Sequence, residues 1–321
     1  MAPLKHLWSG TIAAALLAGA VTSASAQLEL KLMAPAAPGG GWDQTARAMQ
    51  QALVAEKIAR SVQVTNVPGA GGSVGIAQFV NGAKGDGSQL MVNGFVMVGA
   101  LLMNKSPVTL EQVTPIARLT EETQVMVVPA NSQIKNAKDL AEAVKKDVAK
   151  VTFAGGSAGG VDHIMAALFA GSVGADASKV NYVPFSGGGE SLAAILGGKV
   201  TAGISGWGEY EGQIKAGKLR AIGVTSPQRL PGVNVPTFKE QGIDLVLTNW
   251  RSVVAAPGIT AAQKQTLVDA IDKMAKSATW KDILKQKGWD DAYLAGDAFA
   301  AFLKQEQTRV NEVLKSVGLV K

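Results

Sequence analysis

Ser157 is the residue that most suggests covalent chemistry. It sits in Gly155-Gly156-Ser157-Ala158-Gly159, a G-x-S-x-G pattern between a run that suits a strand and one that suits a helix. That is the setting of a hydrolase nucleophile elbow. Such a serine needs a histidine from a distant loop, after an intervening acid. The chain has two histidines. His6 falls in the N-terminal segment read below as a leader. His163 stands six residues after Ser157 on the helix the loop would open, separated by about 9 Å of helical rise and facing differently. The pattern therefore offers a nucleophile without its base. Ser157 is either a hydroxyl capping the helix or, with the backbone of Ala158 and Gly159, one wall of an anion cradle. His163 is either a satisfied core histidine or a ligand contact. An exported serine hydrolase built on Ser157 remains the alternative function.

A second cradle is written near the start. An apolar run, Leu28 to Ala34, is ended by Pro35 and Pro38 and followed by Gly39, Gly40, Gly41, Trp42 and Asp43. From Gln44 the spacing suits a helix with Ala46, Met49, Ala52 and Leu53 on one face. Asp43 is expected to be its N-cap. Glycines before a helix let the backbone approach a ligand closely, and the helix dipole favours negative charge there. The competing reading is a tight turn with no ligand. Ser186-Gly187-Gly188-Gly189 opens a further helix in the same way. Phe95, at the end of another apolar run, and Trp42, Trp207 and Trp250 are candidates for lining a cleft, although each tryptophan could equally be packing. Gly69-Ala70-Gly71-Gly72-Ser73-Val74-Gly75 departs from the dinucleotide fingerprint, with Val74 where its last glycine should be and Asp86 in a glycine turn rather than at a strand end.

The elements that must carry these loops alternate. Strand, glycine-rich loop and helix recur three times up to Met103, which implies a parallel sheet with helices packed on it. Val113 to Val128 is one long extended stretch interrupted by Thr120-Glu121-Glu122-Thr123, of a length that passes from one domain to another. A second α/β series follows, and Leu245 to Ala256 is extended again and could cross back. The remaining chain is expected to be helical, over 261–277, 280–286 and 298–317. The layout is two α/β lobes with both termini in the first: residues 27–122 and 247–321 form lobe 1, and 123–246 form lobe 2. A cleft between lobes joined by two crossing strands is a natural ligand site.

Composition narrows the function. The chain has 321 residues, 47% apolar and 17% charged, a globular balance. Its net charge of +6 is spread without a dense basic run, and aromatics are only 5%, so nucleic acid is not an expected partner. There is no cysteine. That excludes disulfides, thiolate catalysis and a lipidated cysteine, and with a single histidine outside the leader no metal site or cofactor is expected. Lys5 and His6 precede an apolar segment from Thr11 to Val21 and an A-x-A site ending at Ala26. These read as a secretory signal peptide over residues 1–26, giving a freely diffusing periplasmic monomer.

Several stretches together resemble one family: APAAPGGGWDQTAR, VPGAGGSVG, FAGGSAGGVDHIMAALF, VNYVPFSGGGESLAAILGGKVTAG, KLRAIGVTSPQRLPGVNVPTFKEQG and NWRSVVAAPGIT. The chain resembles the periplasmic solute-binding receptors of the tripartite tricarboxylate transporters, the Bug family. The resemblance implies a two-lobed Venus-flytrap protein without catalysis, which captures a small carboxylate for a membrane permease. It implies that the loops Pro38–Asp43 and Ser157–Gly159 close on a carboxylate. The GGGWDQTAR form looks closer to the tricarboxylate receptors than to those for amino acids, so a citrate-like ligand is the expectation.

Overall fold

The computed structural model describes residues 27–185 and 188–321; the expected signal peptide and the Ser186–Gly187 pair lie outside them. The first third of the chain alternates as its pattern requires: β1 (Leu28–Ala34), α1 (Gly41–Ala55), β2 (Ala59–Asn66), α2 (Ser73–Gly82), β3 (Gln89–Gly94) and α3 (Phe95–Met103). The 16-residue strand β4 (Thr114–Pro129) follows, spanning about 50 Å at the usual rise. The second series is α4 (Ala137–Lys146), β5 (Thr152–Gly155), α5 (Val161–Ser172), β6 (Asn181–Pro184), α6 (Gly188–Leu196), β7 (Ala202–Gly206), α7 (Trp207–Lys215) and β8 (Leu219–Val224). The chain returns through β9 (Thr248–Ala255) and ends in α8 (Ala261–Lys276), α9 (Ala278–Lys287), β10 (Asp290–Ala295) and α10 (Gly296–Ser316).

Strand β4 organises the two lobes. Its first ten residues, Thr114–Thr123, pair antiparallel with β9, and part of that stretch pairs with β10. Its remainder, Gln124 onward, pairs antiparallel with β7 and β8. Lobe 1 thus has the strand order β2-β1-β3-β9-β4-β10, and lobe 2 the order β6-β5-β7-β4-β8. The β1–β2, β1–β3, β5–β6 and β5–β7 pairs are parallel, the expected product of strand–helix–strand crossovers. Strands β3, β7 and β9 are covered on both faces and nearly every residue in them is buried, so none shows the apolar–polar alternation of a half-exposed strand, and β9 buries even Asn249, Arg251 and Ser252.

Two departures from the sequence expectation have clear causes. Asp43 is not the N-cap: α1 begins two residues earlier at Gly41, with Gly40 in the capping position and no side-chain cap bond. The C-terminal part is not all helical, because Asp290–Ala295 forms β10. Two adjacent aspartates weaken its β signature; its partner is supplied by β4, and Arg118 Nε donates to Ala292 O at 2.8 Å. Helix α10 then clamps lobe 1. Trp250 Nε1 on β9 donates to Glu306 at 2.8 Å, and the Arg309 guanidinium lies 5.4 Å from the Phe95 ring centre on α3.

Candidate functional site

A cavity of about 530 Å³ lies between the lobes, at the carboxyl ends of their parallel strands, where open α/β sheets place ligands. Lobe 1 contributes the β1–α1 loop (Ala36, Ala37, Gly40, Gly41, Trp42) and the β2–α2 loop (Pro68 to Gly72). Lobe 2 contributes Gly156, Ser157, Ala158 and Asp162 around the start of α5, and Ser205, Gly206 and Glu209 around the start of α7. The crossing strands add Glu122, Gln124, Asn249 and Arg251. The lobes touch beside the cavity. A Cβ on Gly99 of α3 would stand 2.0 Å from Gly159 O, and one on Gly71 would stand 3.5 Å from Ser157 Cβ. Gly71 and Gly72 have φ of +62° and +92°, and their faces press on Ala100, Met97 and Trp42. Packing therefore accounts for the glycines that imitate a nucleotide fingerprint.

The first cradle has a specific build. Gly39 is left-handed at φ +83°, a conformation that favours glycine, and Gly40 N–H donates to Ala37 O. The first turn of α1 then presents its N–H groups, which lack intrahelical acceptors. Asp43 lies behind this turn, 2% exposed, and does not line the cavity. Its carboxylate accepts from Gly39 N–H (2.8 Å), Arg47 Nε (3.0 Å) and Asn66 Nδ2 (2.9 Å). Burial pushes its pKa up, but these donors outweigh it and hold the group below the ordinary carboxylate value. A Cβ on Gly41 would meet Arg251 Nη2 at 2.7 Å, so this position is kept bare by a neighbouring side chain as well as by the cavity.

In the second cradle Ser157 and Ala158 face the cavity and Gly159 does not. Gly159 N–H donates to His163 Nδ1 at 3.1 Å, and the His163 ring stacks on Tyr182 with centres 4.4 Å apart. Burial lowers the His163 pKa to about 4. His163 is thus a buried, hydrogen-bonded histidine that orders the loop, and Ser157 gains no base from it. Pro38, Phe95 and Trp207 also stand off the cavity: Phe95 and Trp207 are buried in packing, as is Trp250. Ser186 and Gly187 are outside the described residues. Of the expected set, Gly40, Gly41, Trp42, Ser157 and Ala158 are the residues brought together.

The residues missed from sequence are the charged ones. Glu122 and Arg251 form a buried ion pair, and Asn249 Nδ2 adds a bond to Glu122 at 3.3 Å. The Arg251 guanidinium also lies 4.9 Å from the Trp289 ring centre. Burial raises the Glu122 pKa, with Arg251 opposing and Glu209 adding to the rise. Asp162 accepts Gly156 N–H at 2.7 Å, yet burial, with Glu209 and Glu122 nearby, pushes it up to about 7. No charge pattern in the chain singles this pair out, because β4 also carries Arg118 and Glu121; the register sets Glu122 opposite Asn249 and Thr120 opposite Arg251, so the two charges meet diagonally across the crossing strands.

The comparisons with known proteins agree on one family. The model described as "Tripartite tricarboxylate transporter family receptor" matches residues 45–319. The chain belongs to this receptor family. A UPF0065 protein from the TAR-I ttuE-ttuC′ intergenic region of Agrobacterium vitis is 30% identical over 249 residues, covering 76% of this chain and 70% of that one. BugT of Bordetella pertussis is 27% identical, covering 90% and 89%. Among solved structures, a TctC solute-binding protein from Polaromonas is 27% identical with a TM-score of 0.67, covering 92% and 100%. Two Rhodopseudomonas palustris structures share the fold at lower identity. One has bound malate (23%, TM-score 0.77, covering 89% and 98%) and the other has adipate (19%, TM-score 0.80, covering 90% and 97%). Receptors of this family are periplasmic solute-binding proteins and not enzymes, so the hydrolase alternative built on Ser157 falls. Among the described residues no helix is long and apolar enough to cross a membrane.

Proposed function

We propose that this chain captures a small carboxylate in the cleft between its lobes and hands it to the membrane permease of a tripartite transporter. The observation that carries the reading is the pairing of two backbone cradles across one cavity, Gly40–Trp42 from lobe 1 and Ser157–Ala158 from lobe 2. Helix N-termini and bare backbone recognise carboxylates without a cationic side chain. The related folds holding malate and adipate support a carboxylate as the ligand class. The citrate-like expectation rests on the GGGWDQTAR loop alone, and the carboxylates of Glu122, Asp162 and Glu209 around the cavity argue against a trianion. The lobe division 27–122, 123–246 and 247–321 goes with this reading, supported by the change of β4 partners after Thr123.

A thermal-shift screen against organic acids tests the function, since a ligand bound only by the folded state raises the midpoint. A carboxylate should raise it at sub-millimolar concentration; a screen in which only acids are inert and neutral sugars or amines act would refute the reading. Export belongs to the same proposal. N-terminal sequencing of periplasmic protein should begin at Gln27, and a chain still carrying Lys5 and His6 would contradict removal of residues 1–26.

A further inference from the structure

Among the described residues that line the cavity, four are acidic (Glu122, Asp162, Glu190 and Glu209) and only one is basic, Arg251. Arg251 is committed to Glu122 and lies over Trp289. Asp162 and Glu209 receive neutral donors, Gly156 N–H at 2.7 Å and Ser205 Oγ at 2.7 Å. Neutral donors orient a carboxylate but leave its charge uncompensated. First-turn acids commonly serve only their own helix, and Asp43 on α1 does so: it points away from the cavity and is satisfied by Arg47 and Asn66. Asp162 on α5 and Glu209 on α7 instead face inward.

A second observation is independent of these charges. Gln124 lines the cavity where β4 passes between lobes, is fully buried, and has no hydrogen-bond partner in the protein for either Oε1 or Nε2. Buried amides without partners are rare and costly. One that faces a cavity beside two inward carboxylates calls for a ligand bearing both donors and acceptors.

We infer that the cleft contains a cation subsite on its lobe 2 wall, formed by Glu209, Asp162 and the Gln124 amide, and that the ligand is a zwitterion. Its carboxylate goes to the Gly40–Trp42 and Ser157–Ala158 cradles, and its ammonium or guanidinium group goes to the subsite. An organic cation fits better than a metal ion, because among the described residues no three His, Asp or Glu side chains gather closely enough to chelate one. This assignment rests on the proposed carboxylate function and specifies its ligand class.

Calorimetric titration of the wild-type protein with matched probes separates the two claims. The panel is succinate, glutarate and adipate; their ω-amino counterparts 4-aminobutanoate, 5-aminopentanoate and 6-aminohexanoate; the α-amino acids aspartate and glutamate; and hexylamine. The best amino-carboxylate should bind at least about tenfold tighter than the best dicarboxylate. Glu209→Gln should remove about tenfold of that preference while leaving the unliganded melting midpoint within a few degrees. Gln124→Met should weaken the same probe while raising the unliganded midpoint, because it removes a buried amide that lacks partners. Dicarboxylates binding as tightly as amino-carboxylates would overturn the cation subsite and leave the carboxylate function standing. Binding by hexylamine alone would overturn the carboxylate function, and binding by no probe would overturn both. An amino-carboxylate preference unchanged in Glu209→Gln would also refute the subsite.

Discussion

At the scale of single residues, the cleft is governed by charges that have been taken out of water. Arg251 and Glu122 are 4% exposed each and stand where β4 and β9 cross. Deleting one partner strands the other in a poorly solvated site. Arg251→Met should therefore lower unfolding stability by about 3–5 kcal/mol, read from urea denaturation, and Arg251→Met with Glu122→Met should recover much of the loss. Asp162 sets a pH dependence. Its folded pKa of about 7 exceeds the unfolded value of 3.8, so between those limits the folded state holds more protons than the unfolded one. Stability must then fall as pH rises from about 4 to about 7. The facing groups are Glu209 and Glu122, which sustain the upward shift, Arg251, which opposes it, and Tyr182, whose own pKa is raised well above its usual value. Asp162→Asn keeps an acceptor for Gly156 N–H and removes the titration. Its advantage over wild type in melting midpoint should therefore grow across that pH window and be absent at pH 4.

At the scale of elements, α3 and the α5 loop meet without side chains, and the closure that the proposed function calls for rests on that contact. Gly99 lies inside α3, where alanine is the better helix former, yet a Cβ there would stand 2.0 Å from Gly159 O. Gly99→Ala should leave each lobe folded and prop them apart. If the closed population drops to about a tenth, apparent affinity weakens about tenfold, and small-angle scattering should show a ligand-induced compaction in wild type that the variant lacks. The same elements mark how far the sequence could be read. Strand β4 was legible because apolar stretches flank Thr120-Glu121-Glu122-Thr123 on both sides, helix α4 because its apolar residues share one face, and α5 because it is an apolar run, too long for a strand, that follows a glycine-rich loop. Strand β10 was not, since Asp290 and Asp291 gain strand geometry only from a partner some 170 residues away. The glycines of both cradles announced where the backbone would be bare. The Glu122–Arg251 pair was invisible because it follows from the register of β4 against β9, and the inward turn of Asp162 and Glu209 because it follows from which helix ends face the cavity; both are properties of the assembled lobes rather than of any window of chain.

At the scale of the whole molecule, two lobes share one strand. Both lobes line the cavity, so on the proposed function the two cradles reach the ligand together and capture goes with closure. The threading that makes this possible also fixes an order of assembly. Strands β4 to β8 are contiguous in the chain, so the lobe 2 sheet has every strand once residue 224 has emerged. Lobe 1 does not. Strand β9 sits between β3 and β4, and it is made more than a hundred residues after β4 begins. Until it arrives, the growing chain holds an apolar β3 and the first half of β4 with a strand-wide gap between them and two unpaired edges facing it. Such edges accept any strand that fits. A nascent chain of this topology is therefore most open to mispairing after its inner lobe is complete, and insertion of β9 is the step that ends the exposure.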